Sequence, residues 1–405
     1  MSNRETIQYF YSIAILCLTF LLFLCQSRIV TPSPSERNYH IFYQICAGAS
    51  ASEREKWCLD HAGKFRILSL GGTLEIEGTD DAEDYKHLRS ALDILNFTPS
   101  EVDDIMRTTS ACLHLGNVEF SEGAKLDAQI RNMAVVETVA KLLRVDVKSL
   151  STSLISQRKM MGRESILTVR SQLLAEAARD ALCKKVFSNM FDAIIVRINK
   201  TLGAKAQDTT RCVGVLDIFG FEIFNVNRFE QLCINFANEK MQLHFNAHIF
   251  EMEQKEYAAE KIDVSTVSYV DNQKCLDLIE NGRTSILSMT DEELKLPGGG
   301  DENLLSRMHA AHAPNKYYLK PKTSTPVFSI MHYAGEVQYS IEGFMDKNRD
   351  SLESNISEVL QASSAPFVAG LIPVETGSRT LGSQFKAQLM ALMETLNKTA
   401  PHFIR

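Results

Sequence analysis

A chain of 405 residues, 45% hydrophobic and 23% charged, has the composition of a folded protein large enough for two or more domains, and excludes a disordered one. Its net charge of −7 argues against a nucleic-acid binder, which carries a basic stripe, and requires any acidic partner to be met by local basic patches. The nine cysteines are odd in number and scattered, with no CxxC and no Cys/His ladder. Their spacing therefore shows neither a disulfide framework nor a zinc site, and they read as buried reduced thiols.

The N-terminus differs from the rest. No charge occurs from Gln8 to Ser27, and Tyr9 to Cys25 is almost wholly apolar. As a helix that run would span roughly 26 Å, the short limit for a bilayer. Residues 1–27 read as a signal anchor, a signal peptide cleaved near Gln26-Ser27, or foreign sequence joined by a wrong gene model; a buried core helix is the weaker alternative. Arg4 and Arg28 give no orientation. The sequons at Asn96, Asn199, Asn355 and Asn397 add little support for secretion.

Beyond residue 28 the pattern is mixed α/β. A Pro/Ser turn cluster at 31–35 precedes a helical run, Tyr39 to Ile45. Helical patterns continue to about Asn199, the longest over 171–199, which is rich in strong helix formers. A polar link, Gly203 to Arg211, leads into the apolar run Cys212 to Ile218. That run reads as a buried central strand carrying Asp217 to a sheet edge. Residues 297–301 read as a flexible loop. Val327–Tyr333 reads as a further strand, followed by the run Ala334–Tyr339, and the intervening Gly335 fits a turn or a bulge.

The chemistry concentrates in Asp217-Ile218-Phe219-Gly220-Phe221-Glu222. An acid at a strand end can hold the water shell of Mg²⁺, and a neighbouring glycine lets its amide approach a phosphate. A second acid can orient a water or pair with an arginine, which is the logic of a phosphate-sensing switch. The hexamer alone is weak evidence. Asn227-Arg228-Phe229-Glu230 then has the form of a capping box. Phe229, Leu232, Cys233 and Phe236 recur at helical spacing, predicting a long helix to about Glu256. A rigid helix leaving such a loop can pass on a small shift.

LDIFGFEIFNVNRFEQLCINFANEKMQLHFN (216–246) resembles the switch II loop and relay helix of myosins. The resemblance extends over residues 28–405. SERNYHIFYQ (35–44) resembles the segment after switch I, and LHLGNVEF and ARDALCKKVF resemble the upper half of the actin-binding cleft. VDNQKCLDLIE and HYAGEVQYSIEGFMDKNRD resemble the lower half and the central strands. GSQFKAQLMALMETLNKTAPHFIR (382–405) resembles an actin-binding helix and strand. Phe385, Leu389, Leu392, Met393 and Leu396 independently give that helix an apolar face.

The fold implied is α/β, a P-loop-NTPase-like myosin head in part, with mostly helical cleft regions (28–205 and 261–405) around an incomplete central sheet and residues 206–260 as switch II and relay helix. The resemblance implies ATP and Mg²⁺ as cofactors of the family and filamentous actin as partner, in the cytoplasmic cytoskeleton. Asp217 would sit near the Mg²⁺ shell, Gly220 would offer its amide to the γ-phosphate, and Glu222 would pair with a switch I arginine. Glu164, sixteen positions before Asp180, stands where the family carries an acid or a phosphorylatable residue facing actin. Arg283, Ile286 and Leu287, with Leu389, Met390, Leu392, Met393, Asn397 and Lys398, are the further expected actin contacts.

Departures from the family pattern matter as much. The 405 residues contain no G-x-x-x-x-G-K-[ST] and none of the Asn-rich switch I. Without an amide cradle and its lysine, the chain alone is expected to bind no nucleotide usefully. Converter and neck are missing, so light chains are not expected. Val264 stands where the relay loop usually has Trp. Arg283 and Thr284 replace a proline and a large apolar residue, and the loop from about Val374 to Thr380 has one basic residue, Arg379. Lone histidines such as His114 and His332 read as core residues. The expectation is a fragment of an ATP-driven actin motor. The alternatives are a non-catalytic actin- or partner-binding module and a protein tethered to a membrane through residues 9–25.

Overall fold

A computed structural model describes residues 29–30, 32, 35–161, 164–202, 214–262, 271–296, 298–322, 325–349, 352–372 and 380–404, without the side chains of 159–161 and 164–165. The apolar run 9–25, Cys212, Val213, Val264 and residues 374–379 lie outside the described residues. The chain divides into two compact units. One comprises Met1–Val215 with Leu352–Gly377, the other Leu216–Ser351 with Ser378–Arg405. This cuts differently from the boundaries expected near 205 and 260. The loop carrying Asp217 and its long helix share a unit with the region after them, while the stretch from Leu352 rejoins the first.

The first unit is helical, with helix α1 (His40–Gly48) packed on α2 (Asp81–Ile94). Their close approach needs a glycine, since a Cβ on Gly48 would stand 2.5 Å from Tyr85 Cβ. Helix α3 (Pro99–Gly116) opens with a capping box: Thr98 N donates to Glu101 Oε2 at 2.7 Å and Glu101 N to Thr98 Oγ1 at 3.3 Å. It buries Ile105, Cys112 and Leu115 against α4 (Met133–Leu143) and the 31-residue α6 (Gln172–Leu202), with α5 (Val147–Ile155) between them in sequence. The strong helix formers of 171–199 form the helix they predict.

Two antiparallel hairpins, β1–β2 (Phe120–Glu122, Ala128–Ile130) and β3–β4 (Ser156–Met161, Glu164–Val169), sit in this unit. The returning stretch, helices Ser354–Gln361 and Pro366–Leu371, is tied by buried Arg170. Its guanidinium donates to both Glu353 carboxylate oxygens at 2.5 and 2.8 Å. Asn189 Nδ2 adds a bond to Leu371 O at 2.6 Å.

The second unit is built on helix α7 (Phe229–Ala259), followed by α8 (Gln273–Glu280), α9 (Ile286–Glu293), α10 (Asp301–His312) and α11 (Leu381–Asn397). Strands β5 (Tyr318–Leu319), β6 (Val327–His332) and β7 (Gly335–Ser340) form a three-stranded antiparallel sheet. The β6–β7 turn has Gly335 at φ 130°, a conformation that favours glycine, as expected. Phe328, Ile330, Val337 and Tyr339 point into the core, and Glu336 and Gln338 point out.

The strand expected over 212–218 is not formed by its described residues: 214–224 carry no strand. The segment meets β7 at one point, a parallel bridge between Asn227 and Tyr339 in which Ser340 N donates to Asn227 O at 2.8 Å. Without a ladder to bury them, Val215, Ile223 and Phe224 are more than half exposed. The helix cap also falls one residue later than expected. Arg228 N donates to Gln231 Oε1, while Asn227 turns its amide to Phe224 N, Phe224 O and Gln338 O.

Candidate functional site

The loop 214–224 exposes Asp217 and Gly220 and is held through its backbone. Asp217 and Gly220 are exposed, and nothing lies within 4 Å of where a Gly220 Cβ would be. Glu222 is half-buried. Two amides on one face of α7 hold the loop. Asn235, fully buried, accepts from Glu222 N at 2.8 Å and donates to Glu222 O at 2.8 Å. Asn238 donates to Phe219 O at 3.0 Å. Gly220 thus sits between two anchored residues and is itself exposed. Phe221 stacks edge-on against His332 and Tyr333 at ring distances of 5.1 and 5.3 Å.

Behind the anchor lies a buried polar network. The Asn235 amide also donates to Tyr339 Oη at 2.9 Å, and that hydroxyl lies 2.8 Å from His332 Nε2. His332 Nδ1 lies 3.0 Å from Glu239 Oε1, which accepts from Tyr333 N at 2.8 Å and from the Cys275 thiol at 3.6 Å. Asn272 donates to Glu239 O at 2.9 Å and to its Oε2. Burial, then the neighbouring Glu239 charge, pushes the Cys275 thiol well up; burial does the same to the Tyr339 hydroxyl. Loop, α7, α8 and the β6–β7 hairpin are joined by these contacts. The expectation that His332 is a hydrogen-bonded core residue is met, as it is for His114, whose Nε2 lies 2.8 Å from Cys58 O.

The expected actin contacts separate by exposure. Arg283 is exposed at the α8–α9 turn, but Ile286 and Leu287 are 0% and 4% exposed, so the apolar contact expected there is packed inside the unit. On α11, Leu389 and Leu392 are likewise core residues at 0% and 1%. An amphipathic helix buries its apolar stripe against its own unit first. Met390 is 56% exposed, Met393 is half-buried, and Asn397 and Lys398 are exposed, with Lys398 paired to Glu394 at 2.7 Å. In the first unit Glu164 opens β4 opposite Met161. The exposed remainder of the expected set is therefore Arg283, Met390, Asn397 and Lys398, with Met393 at its edge.

Residue spacing did not single out Asn235, Asn238, Glu239 or Tyr339. A signal was present: 235, 238 and 239 fall at helical spacing inside the buried stretch 232–239, where polar residues need fixed partners. A cavity of about 590 Å³ lies elsewhere, in the first unit, lined by apolar residues including Ile105, Met106, Phe187 and Phe191. Among the described residues no helix is long and apolar enough to cross a membrane.

The loop therefore presents an exposed acid and an exposed glycine while hydrogen-bonded to a long helix. The chain belongs to the myosin head (motor domain) family, whose model matches residues 18–405. The match begins inside the apolar N-terminal run, ten residues before the start expected at 28. The chain is 42% identical over 391 residues to Myosin-11 of Arabidopsis thaliana and 40% identical over 396 residues to the Myosin-I heavy chain of Dictyostelium discoideum, in each case over 94% of its length. It spans 25% of the first relative and 17% of the second.

Proposed function

We propose that the parent of this chain is an ATP-driven actin motor, and that these 405 residues supply its phosphate-reading loop, the helix that reads it and part of its actin-facing surface. The observation that carries this reading is the pinning of Phe219 and Glu222 to Asn238 and Asn235, with Gly220 open between them. A group drawn to Gly220 moves a backbone already bonded to α7.

The residues present fit part of a Mg·ATP site. Asp217 would hold Mg²⁺ through its water shell and Gly220 would turn its amide to the terminal phosphate. The nucleotide supplies the phosphoryl group; this loop supplies a carboxylate, an amide and the bonds that position them. The sequence given has no G-x-x-x-x-G-K-[ST] to cradle the remaining phosphates, so the 405 residues alone are not a competent ATPase. Actin recognition falls to Arg283, Met390, Met393, Asn397 and Lys398, with Glu164 on the first unit.

The test is steady-state hydrolysis with and without filamentous actin. The 405-residue chain should show no actin-stimulated turnover and should pellet with actin independently of ATP. A longer chain restoring the phosphate loop should hydrolyse ATP, and Glu222→Gln in it should lower kcat by about 100-fold or more. Actin-stimulated turnover by the 405-residue chain would overturn the reading.

A further inference from the structure

Glu239, Cys275 and His332 come from three elements, α7, α8 and β6, and meet at 0%, 1% and 4% exposure. Their ligand atoms Oε1, Sγ and Nδ1 all lie within 4.8 Å of one another. The separations are 3.0 Å from oxygen to nitrogen, 3.6 Å from sulfur to oxygen and 4.0 Å from sulfur to nitrogen. A tetrahedral Zn²⁺ bound at about 2.3 Å to sulfur and about 2.0–2.1 Å to nitrogen and oxygen has ligand edges of roughly 3.3–3.6 Å. The three edges bracket that range, and shifts of a few tenths of an ångström bring them to it.

The surroundings have what such a centre needs. A ligating imidazole holds its orientation through its other nitrogen, and here His332 Nε2 faces Tyr339 Oη, itself held by Asn235. A ligating carboxylate is steadied through its second oxygen, and Asn272 donates to Glu239 Oε2. Asn272 also carries a buried side-chain oxygen, Oδ1, with no partner. Such an orphan calls for an explanation. Charge points the same way: Glu239 has 0% side-chain exposure and pairs with His332, whose ring is cationic only when protonated. A divalent cation with one thiolate and one carboxylate makes the buried cluster electroneutral.

We propose that Glu239, Cys275 and His332 form a structural Zn²⁺ site, with Asn272 Oδ1 as the fourth ligand. The thiolate and imidazole favour Zn²⁺ over Mg²⁺ or Ca²⁺, which take oxygen donors. Binding exchanges the Cys275 S–H bond for a sulfur–metal bond and releases that proton to solvent, while the proton shared by His332 Nδ1 and Glu239 Oε1 gives way to the metal and the neutral imidazole carries its proton on Nε2, facing Tyr339 Oη. The metal clamps α7, α8 and β6 to one another directly behind the Asn235 anchor.

The experiment uses the full 405-residue chain, stripped with a chelator and titrated with Co²⁺ and then Zn²⁺. One equivalent per chain is expected, with sulfur-to-cobalt charge-transfer absorption and tetrahedral ligand-field bands. Zinc X-ray absorption should show one sulfur and one imidazole in the shell. Cys275→Ser should remove the charge-transfer band and lower Zn²⁺ affinity at least about 10-fold, with the helical circular dichroism kept. If that variant fails to fold, the wild-type X-ray absorption decides. Absence of stoichiometric binding, a shell of oxygens only, or a charge-transfer band unchanged by Cys275→Ser overturns the proposal.

Discussion

Replacing Asn235 with alanine removes the bond that fixes the loop to its helix. The side chain makes three contacts at 2.8, 2.8 and 2.9 Å from full burial. Tyr339 keeps His332 as a partner and is not orphaned. The groups left open are the N–H and C=O of half-buried Glu222, which water reaches in part. Each then costs near the low end of about 1–3 kcal/mol, so the loop should lose roughly 2 kcal/mol of local stability. At about 1.4 kcal/mol per tenfold, amide exchange at Glu222 should quicken roughly 30-fold in Asn235→Ala. Hydrogen exchange read by mass spectrometry on peptides spanning 219–227 measures it, with Met390→Ala as an unchanged control. Acceleration below about threefold would show that the amide does not hold the loop.

Gly48→Ala should destabilise the first unit by about 1–3 kcal/mol, because its Cβ meets Tyr85 Cβ at 2.5 Å; a thermal melt followed by the sole tryptophan, buried Trp57, reads it. The Arg197 guanidinium, and next the Thr98 N–H, hold the Glu101 carboxyl down to about 2. A depressed carboxylate stabilises above its unfolded value of about 4.3, so this contribution should be complete at pH 5 and fade as pH falls toward 2. Glu101→Gln should flatten that part of the pH dependence of the Trp57 melt, and an unchanged slope would contradict the assignment. Leu389→Ala, at full burial, should cost about 2–5 kcal/mol of stability in urea denaturation. Met390→Ala, on the exposed side, should cost within about 0.5 kcal/mol and instead weaken actin pelleting.

Much of the helical architecture was legible because propensity and periodicity agreed over long windows. Residues 171–199 and 229–256 become helices Gln172–Leu202 and Phe229–Ala259, and the apolar spacing from Phe385 to Leu396 becomes the buried face of α11. The 327–340 hairpin was legible because its second strand alternates and a glycine marks its turn. The run 212–218 misled because a continuous apolar segment looks like a central strand, yet a strand exists only through partners on its edges. Its described part, 214–218, has none, and the first bridge after it comes at Asn227. Ile286 and Leu287 misled for a related reason: apolar character at a turn fits an exposed contact or a core anchor, and packing chose the core. The cluster of Glu239, Cys275 and His332 was hidden by separation, since 36 and 57 positions divide neighbouring members. No motif of local spacing shows such a set.

The two halves of α7 indicate how a movement at Gly220 would travel. Asn235, Asn238 and Glu239 lie within little more than one turn, so their ties to the loop, the β6–β7 hairpin and the start of α8 enter the helix near its buried start. From Glu251 to Ala259 the helix is almost wholly exposed. A rod held firmly at one end and free at the other turns a small displacement at the held end into a larger one at the far end. For that, the held end has to be stiffer than the loop it reads. The loop is fastened by side-chain amides to a few backbone groups, whereas the cluster behind it is buried among three elements. The softer contact is therefore the one next to Gly220, where the proposed phosphate-sensing role would need it.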